Sequence, residues 1–296
     1  MEETAPDATE SFVRHRNLLF TIAYEMLGSA SDAEDVLQET WLRWIGVDHE
    51  TVRDRRAYLV RITTRQSLTQ LRRLGRRKES YVGSWLPEPL LTSPDVAEDV
   101  ELAESVSMAM LLVLETLSPT ERAVFVLREV FDVGYDEIAA AVDKNEAAVR
   151  QIAHRARDHV HSRRPRATVS ASDADRAMQA FRKAIETGST DELLSLIAPD
   201  VVLVGDGGGI KQAVLNPIRG ARRVLKLLTV GLAETTGEVT VETVRVNGWP
   251  ALILRLDGEV DTVIAVRIDD GLITGLYGVR NPDKLGRLER ETIISR

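Results

Sequence analysis

The sequence contains no cysteine and only five histidines. Without cysteine, neither a disulfide framework nor a thiolate metal site is available to the fold. The histidines, at positions 15, 49, 154, 159 and 161, lack the spacing of a metal-binding HExxH motif. We therefore expect no metal centre, and the sequence indicates no cofactor.

Long apolar runs are also missing. No uninterrupted run approaches the roughly 20 residues that a membrane-spanning helix needs. The segment from Met1 to Glu10 is acidic and lacks the basic and apolar blocks of a signal peptide. These absences predict a cytoplasmic protein without a membrane partner.

The chain has 296 residues, of which 44% are hydrophobic and 28% are charged. This length is too great for one small core, so two or three domains are expected. The composition is that of an ordinary globular protein.

Charge is strongly segregated along the chain, although the formal net charge is −8. Between Arg53 and Lys78 there are ten Lys or Arg residues and one acid, Asp54. The next stretch, Glu79 to Glu104, has seven acids and no Lys or Arg. A local basic stretch in an acidic chain indicates a polyanion site, for which nucleic acid is the first candidate, followed by a hydrated linker. The alternative is a salt-bridged surface helix and a polar loop.

Hydrophobic periodicity divides the chain near residue 165. The pattern is helical from Ser11 to about Arg164, and HSRRPRATVSAS (161–172), with Pro165, suits a linker. From Asp173 two short helical segments are predicted, one of them capped by Thr190. Strands follow, separated by NGWP, DGE and DDG turns, at 201–204, 238–246, 251–256, 260–268 and 272–279. Helices followed by such a run of strands predict an α+β domain.

The segment from Ser31 to Trp44 (SDAEDVLQETWLRW) is predicted to be a helix that begins with a Ser31–Glu34 capping box. Its apolar residues recur at helical spacing and leave one exposed stripe, formed by Asp35, Gln38, Glu39 and Leu42. By itself this stripe could be a solvated face. The predicted helix after it, Arg56 to Arg73, leads into the basic run.

This acidic helix followed by a basic helix resembles region two of the extracytoplasmic-function class of bacterial sigma factors. The resemblance implies that Asp32 to Glu39 docks on the β′ clamp helices of RNA polymerase core. It also implies that the helix from Tyr58 to Arg73 opens and reads the −10 promoter element. Arginines suit the phosphate chain of melted DNA, and the candidates are Arg61, Arg65, Arg72, Arg73, Arg76 and Arg77. Thr69 departs from the Asp expected there in this class.

A second helical cassette runs from Leu117 to Arg164. It predicts a helix with a Ser118–Glu121 capping box and Pro119 at its first position, then a helix over 134–142, and another after Asn145. A three-residue turn joins the last two, which indicates a helix-turn-helix whose second helix can enter a major groove. Its outward residues are Arg150, Gln151, His154, Arg155 and Arg157. A basic exposed helix is also compatible with simple solvation.

The order of these segments resembles sigma region four, which reads the −35 element and binds the β flap of core polymerase. Lys144 and Asn145 are modest departures from the common pattern. The remainder, Asp173 to Arg296, resembles a SnoaL-like domain, in which helices close a curved sheet around a pocket. DGGGIKQAVLNPIRG (206–220), VNGWPALILRL (246–256), ITGLYGVRNPDKL (273–285) and the linker WLPEPL (85–90) are similar to the sigma-factor subgroup with this fused domain.

Three functions of this third domain stay open. Relatives of the SnoaL type use a pocket carboxylate for proton transfer, for which Asp206 and Asp261 are the candidates, but no histidine follows residue 161 to assist. A small-molecule sensor is another possibility. The resemblance implies a regulatory domain that replaces a separate anti-sigma protein. The regulatory contacts would come from the linker and two turns: Trp85, Leu86, Pro87, Glu88, Pro89, Leu90, Asp206, Gly207, Gly208, Gly209, Asn281, Pro282, Asp283, Lys284 and Leu285.

The prediction is thus a multidomain sigma factor with two all-α domains and one α+β SnoaL-like domain. Its segments are region two (10–78), an acidic linker (79–98), region four (99–164) and the SnoaL-like domain (173–296). The expected partners are RNA polymerase core and promoter DNA, with no catalytic residue and no separate anti-sigma factor required. The alternative is a SnoaL-like enzyme or sensor with a DNA-binding front end. The apolar residues of the linker, inside an acidic connector, predict that it docks on Asn281 to Leu285 or on Asp206 to Gly209. Packing of the linker on region four is the other possibility.

Overall fold

A computed structural model describes residues 4–93, 99–163, 171–234 and 236–296, with the side chains of residues 4–7, 76–78, 100, 171–172 and 232–234 left out. The chain divides into two compact units. The first comprises Met1–Glu79, Met110–Arg164 and Ile293–Arg296, and the second comprises Ser80–Ala109 and Pro165–Thr292. No helix in the described ranges is both long enough and apolar enough to cross a bilayer.

The first unit begins with three helices, α1 (Thr4–Leu27), α2 (Ala30–Trp44) and α3 (Arg55–Lys78), and a 3₁₀ turn at His49–Thr51 precedes α3. The three helices pack on one another. Trp44 is fully buried, and its indole nitrogen donates to the carbonyl of Ala8 at 2.9 Å. The predicted start of α2 is wrong: Ser29, not Ser31, is the N-cap, and its hydroxyl accepts from the backbone of Asp32. Ser29 adopts the extended backbone that a cap needs.

The later helices are α4 (Val100–Ser105), α5 (Met108–Leu114), α6 (Pro119–Phe125), α7 (Tyr135–Val142) and α8 (Glu146–His161), with a π turn at Val126–Val130. The predicted capping box of Ser118 and Glu121 is confirmed. Asn145 is the N-cap of α8, as predicted, and its side chain accepts from the backbone of Ala148. Asp143 ends α7 in the left-handed region. The helix-turn-helix is therefore present.

The two predicted helical domains form one unit, with α3 packed against α6 and α7. Arg122 of α6 is almost completely buried there. Its Nε donates to the carbonyl of Glu25 at 2.9 Å, and its Nη1 contacts Glu115 at 2.5 Å. A buried guanidinium needs such partners, because an unpaired buried charge is costly.

From residue 171 on, the second unit has α9 (Ala171–Thr187) and α10 (Thr190–Leu196) before its sheet and α11 (Ala221–Glu234) within it. The strands are β1 (Ile197–Asp206), β2 (Ile218–Arg219), β3 (Val239–Val246), β4 (Trp249–Leu256), β5 (Glu259–Asp269) and β6 (Leu272–Val279). Their spatial order is β2-β1-β6-β5-β4-β3, and β1 runs parallel to β6, whereas the other neighbours are antiparallel. Side chains from α9, α10 and α11 pack on one sheet face to form the core.

The hairpin turns of this sheet match the sequence prediction. Asn247–Gly248, Asp257–Gly258 and Asp270–Gly271 all have positive φ, as tight two-residue hairpin turns require. The N-cap of α10 is Ser189 rather than Thr190. Strand β1 is longer than predicted, whereas β2 and α11 had no counterpart in the prediction.

The acidic linker (79–98), called the connector below, belongs largely to the second unit, together with α4. Leu86 and Leu90 are fully buried, and Leu91 forms a β-bridge with Val246 at the sheet edge. The division therefore differs from the predicted boundary at residue 99, because residues 99–109 lie with the sheet: the indole of Trp249 donates to Ala103 at 3.0 Å. The predicted linker proline, Pro165, and the acids Asp95 and Glu98 lie outside the described residues.

Candidate nucleic-acid interface and linker site

The outer face of α2 carries the predicted stripe. Asp35, Gln38 and Glu39 are exposed, and Leu42 is 58% exposed. Ile45, which the sequence analysis did not select, is 50% exposed just after the helix. Large apolar side chains next to carboxylates on an exposed face suit a protein partner better than plain solvation.

The basic residues of α3 have different surroundings. Arg61 lies over the ring of Tyr58, 4.6 Å from its centroid. Arg65 donates to the carbonyls of Ala140 and Ala141 at 2.9 and 3.4 Å, where α7 ends. A cation at a helix C-terminus is favourable because it meets carbonyls that have no partner in the helix. Arg72 and Arg73 are exposed, and the side chains of Arg76 and Arg77 lie outside the described residues.

A polar pocket of about 370 Å³ opens at the start of α3. It is lined by Glu10, Ser11, Arg14, His15, Val52, Arg53, Asp54, Arg55 and Arg56. Four arginines and a histidine thus face two carboxylates. Arg14 pairs with Glu10 at 2.8 Å, and Asp54 accepts from the backbone of Ala57 at 2.9 Å. Sequence reasoning did not assign this pocket, because α1 supplies part of it from far along the chain.

The outward face of α8 holds the five predicted residues Arg150, Gln151, His154, Arg155 and Arg157, all of which are exposed. Arg150 pairs with Glu146 at 3.1 Å and lies 4.5 Å from the centroid of Tyr135. Arg157 forms two bonds to Glu129, at 2.7 and 3.0 Å, and these raise the pKa of its guanidinium above the ordinary value. Its side chain is therefore already bonded to the π turn Val126–Val130.

In the second unit, the carboxylate of Asp206 is fully buried at the end of β1. It accepts four hydrogen bonds: from the hydroxyl of Tyr81 (2.6 Å), the backbone of Leu86 (2.8 Å), the ammonium of Lys284 (2.7 Å) and the backbone of Gly208 (3.0 Å). Two of these donors belong to the acidic connector. Asp206 thus joins the connector to the sheet.

Lys284, in the 3₁₀ turn Pro282–Lys284, is the second junction. Its ammonium donates to the carbonyl of Leu86 at 2.6 Å and lies 4.2 Å from the ring centroid of Trp85. Asn281 donates to the hydroxyl of Tyr81 at 2.8 Å. Burial, and then the hydrogen bond to Asp206, raise the pKa of Tyr81 above its ordinary range, so this hydroxyl stays a proton donor.

The predicted linker residues divide into a buried and a half-buried set. Leu86, Pro87, Glu88, Pro89 and Leu90 are buried, and Trp85 is half-buried. The structure thus places the linker in contact with both turns that the sequence analysis selected. At Gly207 and Gly208 an added Cβ would collide with the backbone of Lys211 and with Asn281, so the turn requires glycine.

Sequence reasoning missed Asn247. Its Oδ1 accepts from the backbone of Leu90 at 3.0 Å, and its Nδ2 donates to the carbonyl of Val106 at 2.8 Å. The Asn-Gly pair identified a hairpin turn, but a side chain that also holds the connector leaves no separate signal in the sequence.

The second carboxylate considered for catalysis, Asp261, lies among cations. It pairs with Lys211 at 2.8 Å and Arg280 at 3.0 Å, and the hydroxyl of Thr262 donates to it at 2.6 Å. Burial raises the pKa of Asp261, but the bonds from Lys211 and Thr262 and the charge of Arg280 outweigh this and lower it overall. The carboxylate is therefore ionised and engaged, which suits a structural role.

Comparison with known proteins gives consistent matches. Residues 12–77 match the model of Sigma-70 region 2, and residues 107–160 match that of Sigma-70, region 4. The chain is 32% identical to the ECF RNA polymerase sigma factor SigJ of Mycobacterium tuberculosis (strain H37Rv) over 91% of this chain and 90% of that protein. It is 31% identical to the probable ECF sigma factor SigI of the same organism, over 94% of each chain.

The fold comparison agrees with this result. The crystal structure of M. tuberculosis SigJ superposes with a TM-score of 0.74 at 30% identity, covering 94% of this chain and 98% of that chain. The match therefore extends over the helical regions and the sheet domain together. The predicted fold class is confirmed.

Proposed function

Because this chain belongs to the extracytoplasmic-function RNA polymerase sigma factors, we propose that it directs core polymerase to specific promoters and initiates transcription there. The observation that carries this proposal is that the chain matches both sigma regions, region 2 and region 4. It also aligns with a sigma factor over about nine tenths of each protein. Three surfaces are assigned roles: the α2 stripe, the basic region around α3, and the outward face of α8.

The α2 stripe is the proposed contact with core polymerase, at the β′ clamp helices. Exposed Asp35 and Glu39 supply negative charge, whereas Leu42 supplies apolar area that would be covered in a complex. This combination supports a protein interface, in which charge sets complementarity and apolar contact adds affinity. Region four is proposed to bind the β flap.

The basic region around α3 is the proposed −10 site. Arg61, Arg72 and Arg73 offer charge to the phosphates of melted DNA. The arginine-lined pocket at the start of α3 has the volume for one unstacked base, and its cations would attract the backbone beside that base. Arg65 would join this surface only after it leaves the carbonyls at the end of α7.

The outward face of α8 is the proposed −35 reader. Gln151 and Arg150 carry side chains that bind adenine and guanine edges through two hydrogen bonds. Both lie in the first two turns, the part of a recognition helix that meets the bases in this motif. His154 and Arg155 lie one turn further on and suit phosphate contacts.

The third domain is proposed to regulate the sigma factor in cis, without a separate anti-sigma protein and without catalysing a reaction. The bonds of Asp206 and Lys284 to the connector support regulation, because they fix the segment that joins the two DNA-reading regions. Asp206 and Asp261 are both engaged by donors, which supports the absence of a catalytic base. As a promoter-bound subunit, the protein would act in the cytoplasm.

Transcription tests this proposal. Core polymerase alone and core polymerase with the full chain should be compared on a promoter library, with −10 and −35 variants of each responsive promoter. The proposal predicts transcription that requires the chain and depends on both elements. Transcription equal to that of core polymerase alone on every template would refute it.

A further inference from the structure

The sheet domain has a basic segment that the functions above do not use. Between Asp206 and Glu234 the sequence has five Lys or Arg residues and no acid, in a chain with a net charge of −8. Lys211 pairs with Asp261. The other four cations are exposed on β2 and the first turns of α11: Arg219, Arg222, Arg223 and Lys226.

Three of these residues share one face of α11. Lys226 lies three residues after Arg223 and four after Arg222, so the three side chains meet on one helical surface, and Arg219 precedes them on β2. The opposite face of α11 is anchored, because Val224 is fully buried and Leu227 and Leu228 pack on the core. The backbone of Gly220 donates to the carbonyl of Val201 at 2.9 Å, which fixes the start of the helix. The basic face is thus held rigidly.

The charges of this face have no ion-pair partner among the described residues. No carboxylate there pairs with any of the four cations, and this includes Asp200, which lies two residues before Val202, the partner of Arg219 in the sheet. Two half-buried arginines of the same unit are paired: Arg245 with Asp175 at 2.9 Å and Arg255 with Glu242 at 3.0 Å. Unpaired like charges on a rigid face repel one another and do not stabilise the fold, which indicates an external polyanion.

We propose that the basic face of α11 binds the phosphate backbone of promoter DNA, as a third DNA contact besides the −10 and −35 readers. The inference rests on the promoter binding proposed above. DNA is favoured over an acidic protein because the partner already assigned to this chain is a repeating polyanion. Arg222 and Lys226 are about 6 Å apart along the helix axis, a span over which a duplex presents several phosphates. Contacts of this kind are independent of sequence.

The test is the salt dependence of promoter binding by the holoenzyme, measured by fluorescence anisotropy with a labelled duplex. The variant combines Arg222→Gln, Arg223→Gln and Lys226→Gln. Each phosphate contact contributes about 0.9 to the slope of log affinity against log salt, so the slope should become shallower by about 2 to 3. The same reduction is expected on a scrambled duplex of equal length.

The matched control combines Arg176→Gln, Arg182→Gln and Lys183→Gln on α9, which changes the net charge equally in the same unit. It should leave the slope unchanged. An unchanged slope in the α11 variant overturns the proposal, as does an equal reduction in the control. Weaker core-polymerase binding with an unchanged slope would also overturn it and assign the face to polymerase.

If the unaltered holoenzyme shows no preference for the promoter, the proposed function itself fails, which is a separate outcome.

Discussion

Lys284 joins the connector to the buried carboxylate of Asp206. Its side chain is 12% exposed, and it donates both to the buried Asp206 and to the carbonyl of Leu86. Lys284→Met keeps the length of the side chain but leaves the Asp206 carboxylate without its charged partner. Breaking a buried pair in this way costs about 3 to 5 kcal/mol, so the variant should unfold at clearly lower denaturant concentration. Lys226→Met, at an exposed position, is the control and should not shift the midpoint.

Proteolysis adds a local readout for the same variant. With Lys284→Met, cleavage within residues 80–92 should accelerate while the helical unit stays protected, because the segment loses its anchor. Equal cleavage rates in the variant and the unaltered chain would show that Lys284 does not hold the connector.

Gln151 and Arg157 lie on the same exposed face of α8 but are expected to behave differently. Gln151→Ala should cost about 1 to 3 kcal/mol of discrimination at one −35 position if the amide reads a base edge. Arg157→Ala should leave discrimination unchanged and lower stability by up to about 1 kcal/mol, since its guanidinium is bound to Glu129. Run-off transcription on −35 variants and thermal melting separate the two effects. Identical promoter profiles for the unaltered chain and Gln151→Ala would contradict the assignment of the reader.

Asp261 makes the sheet domain sensitive to acid. Since its pKa is lowered in the folded state, its ion pairs stabilise the fold above the ordinary aspartate value near 4, and this stability is lost as pH falls through the lower, folded pKa. Asp261→Asn should therefore be less stable than the unaltered chain at pH 6, and the difference should shrink below about pH 4. Denaturant midpoints measured across this range test it. If the difference in stability between Asp261→Asn and the unaltered chain does not depend on pH, the loss comes from the altered shape of the side chain and not from its charge.

At the scale of elements, α2 offers a test of polymerase binding. Asp35→Lys combined with Glu39→Lys should weaken association with core polymerase and leave the melting temperature unchanged, because exposed charges matter to interfaces more than to folds. A titrated pulldown measures the affinity. Glu289→Lys with Glu291→Lys makes the same charge change at exposed positions and should bind normally. Equal affinity of all three proteins would remove α2 from the interface.

The sequence predicted those elements whose signals are local. The capping box at Ser118, the Asn145 cap and the Asn-Gly and Asp-Gly hairpin turns each depend on residues close together in the chain. The start of α2 was predicted two residues late because Ser29 and Ser31 are both plausible caps, and only the backbone geometry distinguishes them. Strand β2 has two residues, too few for any periodicity.

Contacts between distant residues were beyond sequence reasoning. The charge of Arg65 and Arg157 predicts DNA contact for both. In the structure Arg65 donates to a carbonyl of α7 and Arg157 donates to Glu129. No sequence pattern indicates these partners, because they are distant in the chain. The connector was different. Leu86 and Leu90 are apolar residues in an acidic stretch, and this contrast predicts that they dock on another surface. Both are fully buried in the structure.

At the scale of the whole molecule, one fused domain holds the connector between two DNA-reading regions. The WLPEPL segment of the connector is bonded at two points, to Asp206 and Lys284 at Leu86 and to Asn247 at Leu90. Regulation in cis then needs only that attachment and release of this segment bias the arrangement of the two readers.

Promoter-dependent transcription by core polymerase, compared for the full chain, Lys284→Met and the chain ending at Gly278, tests the central claim most directly. The account predicts that the full chain supports transcription that depends on the −10 and −35 elements. It also predicts that both altered chains change this transcription in the same direction while their affinity for core polymerase is retained. Transcription by the altered chains identical to that of the full chain, on every promoter, would contradict the account and leave the third domain without a regulatory role.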